Sequence, residues 1–222
     1  MRQSNVLVAT LFIVALAGIS RAAEPLKVFA EGDWSEPVAD GDGYAVRGRL
    51  VLCERMVIVG GRSHFPKQGR REVSVHIELE NVSEAVGPPL RLFCDLGRTD
   101  FRFEHKGGLH TELLDKDKHP VASPPICFGG GAPRSEWVTL PNDGMIRLRT
   151  SPFGISREKG LSIMPSLDKL WEIAEDDPNE YFLTGTFTVD PSPEEKTSGS
   201  AERVWKGTIT LPPVRIVVHP EK

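Results

Sequence analysis

Residues 73–80 read Val-Ser-Val-His-Ile-Glu-Leu-Glu, an uninterrupted alternation of aliphatic and polar side chains. Val73, Val75, Ile77 and Leu79 fall on one side of an extended chain, and Ser74, His76, Glu78 and Glu80 on the other. In a strand successive side chains point to opposite faces, so this spacing predicts a half-buried strand. A slip of one residue would bury Glu78 and Glu80, so the pattern also fixes the register.

Similar but shorter runs occur at 46–59, 90–96, 101–105, 109–114, 136–140 and 145–150. Near the end, "YFLTGTFTV" (181–189) and "VWKGTITL" (204–211) repeat the pattern, and "VRIVV" follows Pro212-Pro213. Proline cannot donate to a ladder, so the pair predicts an edge, a bulge or a corner. Glycine-, proline- and Asn/Asp-rich segments such as "NVSEAVGPP", "HKGG", "PNDG" and "DPSPEEKTSGS" separate the runs as turns and loops. One helix is predicted in "SLDKLWEIAED" (166–176), where Leu167, Leu170, Trp171 and Ala174 follow helical spacing behind a Ser166 cap. Many short strands with such turns predict an all-β fold, an antiparallel sandwich. Val75, Ile77, Leu79, Tyr181, Leu183, Phe187, Trp205, Ile209 and Ile216 are its expected core.

"VSVHIELENVS", with "EYFLTGTFTVD…WKGTITLPPVRIVV" far downstream, resembles the immunoglobulin-like β-sandwich modules of exported bacterial proteins. In those modules an early strand ends in an Asn-x-Ser turn. A late Tyr-containing strand then pairs with a last strand of the form W-x-G-x-Ile/Val. The resemblance covers most of residues 44–218 and implies an Ig-like sandwich; it extends distantly to the bacterial intracellular proteinase-inhibitor domain. Insertions at about 105–135 and 151–178 depart from a plain seven-strand domain.

The first residues read as an address. Arg2 precedes the apolar run Val6–Ala17, and Ser20 and Ala22 are the small residues before a cut at Ala23. That order predicts a secretory signal peptide over 1–22 and one exported domain over 23–222. The run is too short for a membrane helix, which takes about 20 apolar residues. Removing residues 1–22 leaves 25 basic against 31 acidic residues, a net charge of −6. An acidic chain with mixed charges lacks the basic face that nucleic acid requires.

Cys53, Cys94 and Cys127 show no CxxC spacing. In an oxidising compartment one disulfide and one remaining thiol are expected. Cys94 shares parity with Leu90 and Leu92, and Cys127 precedes Gly129–Gly131, so Cys94–Cys127 is the preferred pair. Closing that loop of about 33 residues would stabilise the fold by roughly 3–4 kcal/mol. Cys53–Cys94, Cys53–Cys127 and three thiols stay open as alternatives.

"HKGGLHTELLDKDKH" (105–119) gathers the metal candidates His105, His110, Glu112 and His119. Zinc needs three or four ligands converging at about 2.0–2.3 Å. His110 and Glu112 can share a strand face, but neither HExxH nor another catalytic-zinc pattern is present. The local explanation is a hairpin: "KGG" supplies positive φ, Leu109 and Leu113 face inward, and "DKDK" is a solvated turn. "DGDG" (40–43) and "DKDK" (115–118) miss the EF-hand pattern, because Tyr44 and Ile126 stand where oxygen ligands belong. "GRSHF" (61–65) is not a nucleophile elbow. The glycines of "CFGGGAP" lack the Lys-Ser/Thr of a P-loop. Asn81-Val82-Ser83 fits a glycosylation acceptor and equally a strand-end turn. Of the four tryptophans, Trp137 and Trp205 belong to strand patterns, whereas Trp34 and Trp171 are the candidates for exposure.

The expectation is therefore an exported, non-catalytic module without cofactor. It would serve a structural or binding role toward a protein or cell-envelope partner. The alternatives are a metal-assisted hydrolase built on the His/Glu cluster and a secreted proteinase inhibitor.

Overall fold

The computed structural model describes residues 27–59, 68–84, 87–95, 108–123, 135–150, 161–166, 169–174, 177–190 and 203–217. These form thirteen strands: β1 (Lys27–Glu31), β2 (Val38–Ala39), β3 (Ala45–Val59), β4 (Gln68–Asn81), β5 (Leu90–Asp95), β6 (Gly108–Leu114), β7 (Ser135–Leu140), β8 (Met145–Arg149), β9 (Leu161–Ser166), β10 (Lys169–Ile173), β11 (Glu180–Val189), β12 (Arg203–Val204) and β13 (Gly207–Val217). The fold is all-β, and no helix occurs among the described residues. The run expected at 101–105 lies outside them.

A large sheet runs β1-β3-β4-β9-β10, with β2 on β3 and β8 on β4. Two smaller sheets run β13-β11-β6 and β12-β5-β7. The expectation of purely antiparallel pairing is corrected at two places. β4 meets β9 in parallel at Val73↔Ile163 and Ser74↔Met164, and β12 meets β5 in parallel. One edge of β4 is shared: β8 covers His76 to Glu80, and β9 covers Val73 and Ser74. Between them Thr150 donates both its amide and its hydroxyl to the Val75 carbonyl.

The aliphatic alternation of β3 and β4 makes the core face of the large sheet. Leu50 pairs with Ile77, and Leu52 with Val75. All four are buried in one cluster with Leu90, Leu92, Leu183, Phe187, Ile209, Leu211, Val214 and Ile216 from the smaller sheets. The nine expected core residues all belong here; eight are buried, and Tyr181 packs against the cluster half-buried. Its hydroxyl reaches out to donate to Asp177 Oδ2 at 2.7 Å.

Pro212 and Pro213 form a bulge. Leu183 faces Val214 and Gly185 faces Leu211, so Thr184 alone stands opposite both prolines. The extra residue resets the alternation of β13: Ile209 and Leu211 are buried before it, Val214 and Ile216 after it. Without it the second pair would turn to the solvent side.

The expected helix at 166–176 is corrected to a hairpin of β9 and β10, in which Trp171 faces Ile163 and Ile173 faces Leu161. The segment is too short for a helix to hold alone. Trp171 and Ile173 are a period-two pair that the sheet buries, while Glu172 between them is exposed. The Trp171 indole donates to Val121 O at 3.0 Å, and the Ser123 hydroxyl bonds both the amide and the carbonyl of Leu170. Those bonds tie the 115–123 loop to the edge of the large sheet.

Trp205 closes the core at the other end. It is fully buried, donates its indole N–H to Tyr44 O at 3.0 Å, and lies so close over Gly207 that a Cβ there would meet the ring at 2.7 Å. The W-x-G spacing thus has a packing cause. A similar approach occurs at Gly185, where a Cβ would sit 2.3 Å from His110 O on the neighbouring strand. Gly185→Ala therefore forces β6 away from β11 and is expected to cost about 1–3 kcal/mol in urea unfolding. Gly41→Ala, whose Cβ would meet nothing within 4 Å, is expected to stay within about 0.5 kcal/mol. Equal effects at both positions would contradict this packing.

Candidate functional site

The densest gathering of polar and titratable groups lies on the second face of the large sheet. Ser74, His76 and Glu78 were expected on a solvated face; all three are buried, Glu78 completely. The half-buried reading of β4 is corrected: from Val73 to Leu79 the strand is buried on both sides. On β3 the same face carries Arg47, Arg49, Val51 and Cys53, opposite Glu80, Glu78, His76 and Ser74 in turn. On β8, Arg147 lies opposite Glu78, and Arg149 opposite His76.

A buried carboxylate is tolerable only when paired and hydrogen-bonded. Glu78 meets both conditions. Arg49 Nε donates to one oxygen at 2.6 Å, and Arg147 Nε to the other at 2.7 Å. Arg49 also reaches Glu31 at 3.2 Å, so four strands are linked in the order Glu31, Arg49, Glu78, Arg147. Burial by itself would raise the Glu78 pKa; the hydrogen bonds from Arg49 and Arg147 outweigh it and hold the group below the ordinary carboxylate value. One row away Arg47 Nε and Glu80 pair at 2.6 Å. The Trp34 ring lies across both arginines, 5.0 Å from the Arg47 guanidinium carbon and 4.7 Å from that of Arg49.

Deeper along the face, Ser74 Oγ stands 2.9 Å from His76 Nε2 and 3.3 Å from the Cys53 carbonyl. The hydroxyl can donate to the Cys53 carbonyl while accepting from a protonated Nε2 of the neutral ring. Burial lowers the His76 pKa to about 4, with Arg149 and Arg147 pressing the same way, so the ring is neutral at pH 7. A base that weak is poorly matched to proton abstraction near neutrality. Burial likewise raises the Cys53 thiol above its ordinary value, away from the thiolate that nucleophilic chemistry needs.

The metal candidates offered by the sequence stand elsewhere. His110 and Glu112 lie on the exposed face of β6, opposite Thr186 and Thr184 of β11. His119 is exposed in the turn after β6, with Nδ1 3.6 Å from Asp115 Oδ2. Asp115 Oδ1 accepts the amides of Asp117 and His119, so this carboxylate shapes the turn. Asp40 Oδ1 does the same for Asp42 and Tyr44 in "DGDGY". His105 lies outside the described residues, and among those residues no group of three or more His, Cys, Asp or Glu side chains is placed to hold a metal.

Cys53 and Cys94 are both buried, and no disulfide occurs among the described residues. Cys127 lies outside them. Asn81 is buried at the end of β4, where its Oδ1 accepts both the amide and the hydroxyl of Ser83 and its Nδ2 donates to Asn142. The Ser83 hydroxyl in turn accepts from Ala45 N. Asn-Val-Ser is therefore a turn that locks β4 to β3, with the amide nitrogen of Asn81 already engaged. Trp171 is buried, whereas Trp34 and Trp137 are half-buried; Phe93 and Arg91 pack on the Trp137 ring.

What sequence reasoning missed is the arginine–glutamate ladder. Its signal was available: Arg47 and Arg49 alternate with apolar residues at the spacing of Glu78 and Glu80. Glu78→Gln leaves two guanidiniums around a neutral amide. It is expected to destabilise the fold by roughly 3–5 kcal/mol, measured by denaturant unfolding. Replacing Arg49, Glu78 and Arg147 together with Met, Leu and Met is expected to recover most of that loss. A Glu78→Gln protein as stable as the parent would remove the ladder from its structural role.

Comparison with protein-family models, with curated proteins and with solved structures finds no match to this chain.

Proposed function

We propose that the chain is an exported, non-catalytic β-sandwich module, Ig-like in kind, that serves by presenting a rigid surface to a protein or cell-envelope partner. The observation that carries this reading is the condition of the groups on the second sheet face. Ser74, His76, Cys53 and Glu78 share one face, yet all four are buried and Ser74, His76 and Glu78 are bonded into the sheet. A nucleophile under such cover has no route to substrate. The open part of the same face offers a binding surface instead, with Trp34 laid across Arg47 and Arg49 and the exposed Met145 on β8.

The competing reading is a metal-assisted hydrolase using His105, His110, Glu112 and His119. Protein prepared without chelator or affinity tag, analysed for zinc and assayed on ester, peptide and phosphoester substrates, separates the two. The expected result is sub-stoichiometric metal and no turnover. Turnover abolished by Ser74→Ala, or stoichiometric zinc lost on His110→Ala, would replace the proposal. Tight inhibition in a panel of protease assays would narrow the binding role to that of an inhibitor.

A further inference from the structure

Among the described residues His76 is the one histidine on the covered face, and its surroundings bear on acid. On its own strand it has Ser74 and the buried Glu78. From β3 it faces Val51, with Arg49 and Cys53 on either side, and beyond β3 the Glu31 carboxylate of β1. From β8 it faces Arg149, with Arg147 next to it. The neighbouring β9 contributes Ser162 and Met164, neither of which is acidic. Among the described residues, Arg149 and Arg147 of β8 oppose a proton on the ring, and Glu78 favours one. Glu78 is already bonded on both oxygens by Arg49 and Arg147, and Glu31 is bonded to Arg49. Neither of these two carboxylates is free to turn to an imidazolium.

We propose that His76 makes β8 an acid-releasable edge strand: a proton on the ring places a third cation beside Arg147 and Arg149, and the strand carrying both gives way. β8 is a short strand held from one side. It has five residues, pairs with β4 alone among the described strands, and is open to solvent at Met145. Its departure uncovers the β4 edge from His76 to Glu80, a row of unpaired backbone groups suited to accept another strand.

The sign follows from linkage. The ring titrates at about 4 when β8 is docked, and near 6.5 once water reaches it. Between those values the open form binds the extra proton, so docking is constant above pH 6.5 and weakens as pH falls toward 4. Glu78 adds to acid sensitivity only below its ordinary value of 4.5. The interval from 6.5 to 4.5 belongs to His76.

Hydrogen exchange of the full chain from pH 7 to 4.5, corrected for intrinsic rates, reads the release directly. Protection of the 145–149 amides is expected to fall about 40-fold between pH 6.5 and 4.5, while amides of β11 and β13 keep theirs. In His76→Gln, whose neutral amide still bonds Ser74, the β8 profile is expected to be flat. Unchanged β8 protection in the parent overturns the proposal. So does an equal fall in His76→Gln, or loss of β11 and β13 in step with β8. Should that variant fail to fold, NMR titration of the parent decides: an imidazole midpoint near 6.5, or β8 amides unchanged while the ring titrates, overturns the proposal, and a midpoint near 4 with selective loss of 145–149 protection upholds it.

Discussion

A carboxylate with no exposed surface at the centre of a sheet constrains everything laid against it, and Glu78 is that group. Stripping water from such a charge costs several kcal/mol, and only close, well-aligned partners offset it. Those partners come from both neighbouring strands, Arg49 on β3 and Arg147 on β8. The requirement therefore fixes two registers at once. A slip of one residue would drive Glu78 into the aliphatic core, and a slip of two would leave it beside Val51 or Arg47 on β3. The hydrophobic alternation alone forbids only the odd slips. The ion ladder disfavours the even ones: opposite Val51, Glu78 loses its β3 arginine, and opposite Arg47 it takes the partner of Glu80.

With β3, β4 and β8 set, the opposite layer has its shape prescribed. It must present apolar residues continuously along β13, which is eleven residues long and interrupted by two prolines. A proline pair inside a regular ladder would forfeit two donors. Placing both opposite Thr184 converts the interruption into a bulge that restores the parity of Val214 and Ile216. The Thr184 hydroxyl bonds the Leu211 carbonyl at that point. Trp205, just before β13, then anchors the strand to Tyr44 at the start of β3. Arg203 stacks over the same tyrosine ring at 3.7 Å.

Period two was legible, and with it the all-β class, most strand positions and the core face. The hidden part was which polar residues are covered. Glu78 and Glu80 look alike in sequence, yet one is buried and the other half-exposed, because burial depends on what lies over the sheet. The 166–176 segment was misread for a related reason. Leu167, Leu170, Trp171 and Ala174 fit a helix, and Trp171 and Ile173 fit a strand. The choice belongs to long-range partners, Ile163 across the hairpin and Val121 at the indole. Within 105–119 the described part shows local turn geometry: Gly108 takes positive φ, and Asp115 spends its carboxylate on backbone amides.

The ladder also bears on the surface it leaves open. Long arginine side chains ordinarily lose conformational freedom when a partner orders them, at about 0.5–1.5 kcal/mol each. Arg47 and Arg49 are ordered already: Glu80 and Glu78 grip their Nε atoms, and Trp34 lies across both guanidinium groups. A partner meeting this patch would find flat cationic and aromatic faces held in place, with that ordering cost met on folding. The interactions that bind Glu78 inside the sheet thus also stiffen the outer row. In the recognition role we propose, preorganised contacts of this kind count.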